Sequence, residues 1–458
     1  MRWLAAMLGR NLYNSGYIMK LQAIALLAAV SLQSAVPSVI AIRNVRVVTA
    51  AGPAIPKGTV VIRDGIIESV GTDAAVPSDA WVVEGPQLTV YPGLIDGLST
   101  WGMPAAAPTT PSAPGRGGGP PNPSTPPAQG APPPARGPED RPSNTSWVQA
   151  QDMLRPNDRS IVVARNAGFT TAVVFPTTGI FAGQGAAVNL HGEKAGGMVV
   201  AAPAGMYMST TVRGTGFPNS IMGVFAYMRQ IFLDADHYKA DREAYAANPR
   251  GRRRPEYDRA LEGVLMAPRI LLPATRAVEI ERMIRFAAEW KRQAVLYGGH
   301  EGYAAADRLK KAGVPVLVSL RWPDRDRDAD PEMRESLRTL EMREKATGTP
   351  AALHKAGVKF AFYSGGAERP ADLRRAARQA VDAGLPADEA VRALTLSVAE
   401  IYGIADRVGS IEKGKIANLL VTDGDLFGTS TRIRHVFVDG VKYDPSPDAP
   451  ETAREESR

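Results

Sequence analysis

The two ends of the chain share one texture and the middle has another, and that contrast restricts the fold more than any single motif. From Ser38 to Thr89 the segments are short and β-rich. I-A-I-R-N-V-R-V-V-T alternates apolar with polar residues. T-V-V-I-R-D-G-I-I-E-S-V-G reads as a hairpin about Asp64-Gly65, a dipeptide that accepts the positive φ of a tight primed turn. The C-terminal stretches G-S-I-E-K-G-K-I-A-N-L-L-V-T-D-G-D and I-R-H-V-F-V-D-G-V-K-Y repeat the pattern. One small sheet domain assembled from both termini, residues 36–89 with 405–445, is the expected result.

Between them, from Trp147 onward, short apolar runs alternate with amphipathic helices. T-T-A-V-V-F-P, A-A-V-N-L and M-V-V-A-A-P read as strands. R-I-L-L-P-A, A-V-L-Y-G-G, V-P-V-L-V-S-L and V-K-F-A-F-Y-S follow, with helices expected at 278–292, 303–311, 372–383 and 388–402. Buried strands of four to seven apolar residues, separated by helices, argue for a parallel sheet covered on its faces. Their number favours a closed (β/α)8 TIM-like barrel over residues 90–404. The fold class expected is α/β: that barrel with a small composite β-sandwich.

Composition bounds the rest. The chain has 458 residues and a formal charge of +7. Met19-Lys20 precedes the apolar run L-Q-A-I-A-L-L-A-A-V-S-L, which has signal-peptide length and is too short to span a bilayer. The reading is a leader over 1–35, with cleavage as late as 41 and Met19 as an alternative start, giving a secreted or periplasmic protein with no membrane attachment. Losing Arg2, Arg10 and Lys20 with the leader leaves a charge of about +4, too modest to call for nucleic acid. The absence of cysteine excludes disulfides, thiolate metal sites and a cysteine nucleophile. Residues 104–142 are more than a third proline, and such a segment cannot bury enough apolar surface to offset its ordering entropy. It reads as a solvated insertion, and 446–458 as a flexible tail.

P-G-L-I-D, with the preceding L-T-V-Y, resembles the first barrel strand of the amidohydrolase superfamily. The family's metal-dependent hydrolases use a (β/α)8 barrel with a sandwich built from both chain ends. The closing A-L-T-L-S-V-A-E-I-Y-G-I-A-D-R-V-G-S-I-E-K-G-K-I-A-N-L-L-V-T-D-G-D looks like the family's return to that sandwich. G-F-T-T-A-V-V-F-P-T-T-G-I-F-A-G-Q-G-A-A-V-N-L is similar to the imidazolonepropionase-like branch, as is the pair P-R-I-L-L-P-A and E-G-Y-A-A-A-D-R-L-K-K-A-G-V-P-V-L-V. The resemblance implies a His-x-His after P-G-L-I-D, where this chain has Leu98, Ser99 and Thr100. It implies a Thr/Ser-Asp pair on the last strand, where this chain has Ser364 and Gly365. Hydrolysing an amide-like bond near neutral pH takes a metal to activate water and a carboxylate to move the proton. Leucine and glycine supply neither, and a threonine hydroxyl is a poor ligand for a zinc-like ion.

Five histidines are present. His300, in Y-G-G-H-E-G-Y at a strand end, and His191, after A-A-V-N-L, are pocket candidates with Ser99, Thr100, Tyr363 and Ser364. No metal-binding set is expected; Lys194, a possible bridging residue in the family's manner, has little left to bridge. His237 and His354 read as surface helix residues and His435 as part of the sandwich. Glu301 reads as a first-turn acid of the helix that follows it. Arg250–Arg254 (R-G-R-R-R) and Asp324–Asp330 read as solvated loops, and G-T-G-F and G-Q-G-A as turns.

Two functions follow as expectations. One is an exported, non-catalytic protein of amidohydrolase type that binds a small molecule or a homologous, catalytically complete partner and needs no cofactor. The other is an atypical hydrolase of non-peptide C–N bonds such as cyclic amides, with zinc or another divalent metal.

Overall fold

The turn at Asp64-Gly65 forms as its sequence demands: both residues have positive φ, 49° and 80°, and they join two antiparallel strands. The computed structural model describes residues 38–104, 141–211, 217–325, 328, 330, 332 and 334–445. The expected leader, nearly all of the proline-rich insertion and the C-terminal tail lie outside the described residues.

Five strands come first: β1 (Val39–Val47), β2 (Ile55–Arg63), β3 (Ile66–Gly71), β4 (Trp81–Glu84) and β5 (Thr89–Pro92). Then follow β6 (Leu94–Ser99), β7 (Phe169–Val174), β8 (Phe181–Gln184), β9 (Ala186–Asn189), β10 (Val199–Ala201) and β11 (Met206–Met208). The series continues with β12 (Ile270–Ala274), β13 (Ala294–Gly298), β14 (Val316–Ser319) and β15 (Phe360–Tyr363), and ends with β16 (Leu419–Thr422), β17 (Ile433–Val438) and β18 (Val441–Tyr443).

Both chain ends build one eight-stranded sheet in the order β18-β17-β16-β5-β1-β2-β3, with β4 also beside β1. The seam is the antiparallel pair β5–β16, where Leu419 faces Pro92 and Thr422 faces Thr89. A second Asp-Gly turn, Asp439-Gly440, links β17 to β18 with φ of 50° and 76°. The two turns pack back to back, since a Cβ on Gly440 would lie 2.6 Å from the Gly65 Cα. Ile40, Ile62, Val90, Leu419 and Phe437 form the shared core, so the sheet holds both ends of the middle unit together.

That middle unit has eight strand positions: β6, β7, β8/β9, β10/β11, β12, β13, β14 and β15. The pairs β6–β7 and β11 through β15 are parallel. The third position departs from the expected plan. β9 runs antiparallel to β7 and β10, and β8 antiparallel to β11. The reason is loop length: only residues 175–180 separate β7 from β8, too few for a parallel crossover, which needs a dozen or more. The two strand ladders end at β10 and β6 and at β8 and β15, and the β6 and β15 edges are joined by other bonds. The Ser364 N–H donates to Asp96 Oδ1 at 2.8 Å, and the Gly365 N–H to the Leu98 carbonyl at 2.9 Å. The (β/α)8 arrangement therefore persists with one strand position reversed.

The interior is apolar. Ile95, Val173, Leu271, Val295, Leu317 and Ala361, from six strands, pack with Val398 and Tyr402 of the helix Leu396–Tyr402. The Tyr402 hydroxyl donates to the Gly97 carbonyl at 2.6 Å. The helix expected over 388–402 is two helices, Ala387–Ala393 and Leu396–Tyr402. The break falls where the Ile95 N–H of β6 takes the Leu394 carbonyl at 2.7 Å. Likewise 303–311 is a 3-10 turn, Gly302–Ala304, followed by the helix Ala306–Ala312. The longest helix, Ile221–Ala247, buries Val224, Phe225, Met228, Ile231, Phe232 and Ala235 at helical spacing; only its His237 neighbourhood reads as helix in the sequence. Among the described residues no helix is long and apolar enough to cross a membrane.

The closeness of β6 and β15 gives a test. A Cβ at Gly97 would lie 2.8 Å from the Phe362 carbonyl oxygen and 3.2 Å from a Leu317 methyl. Gly97→Ala should cost about 1–3 kcal/mol by overpacking, read as a lower urea midpoint. An unchanged midpoint would show that the two strands do not meet as described.

Candidate functional site

The C-terminal ends of the parallel strands form the face where barrels carry chemistry. At β6 that face begins with Asp96, which is fully buried. Its Oδ1 accepts the Ser364 N–H and its Oδ2 the Ser364 hydroxyl. The same Ser364 oxygen accepts N–H bonds from Gly366 at 3.0 Å and Ala367 at 3.2 Å. Every hydrogen-bonding group of Ser364 except its carbonyl is thus engaged. Burial pushes the Asp96 carboxyl up to about 6, with bonds from Ser364, Ser99 and the Leu98 N–H pulling against it.

Ser99 and Ser364, read from the sequence as pocket lining, both belong to this sealed cage, at 0% and 1% exposure. Leu98 is buried among the interior apolar residues. Thr100 is partly exposed and packs on Gly366, where a Cβ would come within 2.0 Å of its Oγ1.

Three tyrosines take the inward positions at the strand ends. Tyr207 of β11 stacks on Tyr297 of β13 with ring centroids 5.1 Å apart and planes at 25°. Tyr363 of β15 meets Tyr297 edge-on at 6.3 Å. Phe175 lies 6.3 Å from Tyr207, continuing the aromatic layer. The Tyr297 hydroxyl donates to the Met208 carbonyl at 2.9 Å. Burial holds the Tyr297 and Tyr363 phenols above their usual range, so they are neutral donors at physiological pH.

His300 stands after β13, buried against Trp322 at 5.9 Å between ring centroids. Its Nε2 donates to the Ser319 carbonyl at 3.3 Å in the tautomer protonated there, and its own carbonyl accepts from Thr349 Oγ1 at 2.7 Å. Burial lowers its pKa. Glu301 serves a different helix from the one expected. Its carboxylate accepts the Ala277 N–H at 2.8 Å, capping the helix Ala277–Glu289, and pairs with Arg338 at 3.3 Å.

His191 is not at this face. Because β9 is reversed, its end lies beside the start of β7, with Asn189 opposite Thr171. There His191 Nδ1 bonds the Tyr443 hydroxyl of the terminal sheet, and burial lowers its pKa. Lys194, exposed nearby, shares that end. His435 pairs with Asp444 on the sheet domain, His237 with Asp241 and His354 with Glu389 on helices.

A divalent ion of the family's kind would need several converging nitrogen or carboxylate donors. The strand ends instead offer tyrosine and threonine hydroxyls, the bonded imidazole of His300 and an arginine, Arg321, after β14. No group of three or more His, Cys, Asp or Glu could hold a metal among the described residues. The donor set does not fit the metal. Tyr207, Tyr297 and Arg321 were not among the sequence candidates. The tyrosines did leave a signal: L-Y-G-G and F-Y-S-G-G both end an apolar strand with tyrosine just before the glycines.

Residues 305–442 match the model of the amidohydrolase family. The structure is similar to that of an amidohydrolase from Thermotoga maritima MSB8, with 24% identity and a TM-score of 0.70 over 88% of this chain and 100% of that one. It is also similar to a second amidohydrolase, with 14% identity and a TM-score of 0.52 over 90% of this chain and 100% of that one. A prolidase complexed with N-methylphosphonate-L-proline gives 16% identity and a TM-score of 0.52 over 89% and 100%. No curated protein sequence matches the chain. At these identities the structural likeness is one of fold.

The Asp96 cage predicts a pH signature. Its pKa rises from 3.8 to about 6 on folding, so its favourable contribution is complete below about pH 4 and is lost as the pH rises through about 6. Asp96→Asn has no proton to lose there. The stability of the wild type relative to that variant should fall by on the order of 3 kcal/mol across this window and stay level above it. Urea unfolding of both proteins at a series of pH values measures the difference. A gap independent of pH would show that Asp96 keeps an ordinary pKa.

Proposed function

Starting from an amidohydrolase-family domain, we propose that this chain is an exported binding protein that has kept the hydrolase fold without the family's metal-dependent reaction. The observation that carries this reading is the inward layer at the strand ends. Where the family's pattern has histidines and an aspartate, this chain has Leu98, Thr100 and Gly365, and the space holds Tyr207, Tyr297 and Tyr363. The one carboxylate of β6 is bonded to Ser364 and fully buried, so it is not free to take a proton from water. The ligand is a small molecule, with a homologous amidohydrolase as the alternative partner.

Export follows from the leader-like apolar run before residue 36. Cleavage after Ala35 leaves β1 whole, whereas cleavage after Ala41 would remove Val39–Ala41, which are buried and paired with β2. The exported chain should therefore begin at Val36, as read by N-terminal sequencing. A chain beginning at Ile42 would contradict this.

The deciding experiment is elemental analysis of the mature protein after dialysis against metal-free buffer. The expected result is a folded chain with far less than one metal per molecule. Near-stoichiometric zinc, manganese or iron would overturn the proposal in favour of an atypical hydrolase of non-peptide C–N bonds.

A further inference from the structure

The position that carries an aspartate in the family's pattern faces a cation here. A Cβ on Gly365 would lie 3.9 Å from both Cζ and Nη2 of Arg321, and 3.8 Å from Cε2 of Tyr363. The guanidinium thus borders the space that a residue-365 carboxylate would fill. Arg321 is held by its backbone, whose N–H donates to Ser319 Oγ at 3.1 Å. Its side chain makes one long bond, Nη2 to the Gly365 carbonyl at 3.4 Å, and no ion pair among the described residues. The side chain is exposed.

We propose that these strand ends bind a small organic acid, its carboxylate on the Arg321 guanidinium and its planar apolar body against the Tyr297 and Tyr363 rings. A guanidinium offers paired, coplanar N–H donors that match a carboxylate. The two rings are partly exposed and meet edge-on at 88°, and a planar ligand body packs favourably against aromatic rings. The carboxylate of Asp96, sealed behind Ser364, offers a cationic ligand no counter-charge. The charge preference is therefore opposite to that of a metal centre on the same fold.

This inference rests on reading the strand ends as a binding site. The test uses the full mature chain and two probes of similar shape and opposite charge, benzoate and benzylamine, by isothermal titration calorimetry. Benzoate should bind saturably with a Kd of roughly 1 mM or tighter, and benzylamine should not. Arg321→Gln should weaken benzoate binding about tenfold or more. Gly365→Asp supplies an independent variant with the arginine intact. Aspartate tolerates the φ of +67° at this position better than most residues, and its carboxylate would pair with Arg321 and displace benzoate. Absence of saturable benzoate binding, equal binding of benzylamine, or unchanged benzoate affinity in both variants would overturn the proposal. Stoichiometric metal would instead sink the underlying reading, so the two failures are distinguishable.

Discussion

The bond between Asp96 and Ser364 joins the first and last strands of the barrel, and the rest of the site follows from it. Two oxygens of one buried carboxylate accept the N–H and the O–H of one serine, while the serine oxygen gathers the next two amides of the loop. Such a bond is dry, and costly to leave half made because a buried polar group would lose its partner. It sets Gly365 against Leu98 and Gly366 against Thr100. It also gives both oxygens of the carboxylate a structural partner.

With the strands joined in that way, Tyr207, Tyr297 and Tyr363 take the inward positions at the strand ends. Tyrosine suits these half-buried positions, because it supplies apolar area together with a hydroxyl that finds a backbone carbonyl, as Tyr297 does at Met208. The result is a continuous interior from the helix Leu396–Tyr402 at one end to the stacked tyrosines at the other. Removing one partner of a metal site leaves buried charges unpaired. At the strand ends of this chain stand hydroxyls, aromatic rings and the exposed guanidinium of Arg321.

Much of the fold was legible in residue order. The two Asp-Gly turns form where the dipeptides stand, the apolar runs at 270–274, 294–298, 316–319 and 360–363 are strands, and the shared sheet of both termini follows from their common alternation. The reversal of β8/β9 was not read from strand patterns, since an apolar run looks the same in either direction; only the short link from β7 carries the information. That reversal sends His191 to the opposite end of the barrel. The cage around Asp96 was equally hidden, because a serine that lines a pocket and a serine that closes a sheet are the same letter.

The sequence by itself determined the chemistry that is absent at particular positions: no imidazole at 98 or 100, no carboxylate at 365, no thiol anywhere. These are statements of atomic composition, which folding cannot alter. Tertiary structure decided which of the remaining groups meet. Arg321 borders the space beside Gly365, Glu301 caps the helix Ala277–Glu289, and His191 reaches Tyr443. Those meetings depend on strand direction and ring closure, which bring together residues remote in the chain and were not read from local pattern.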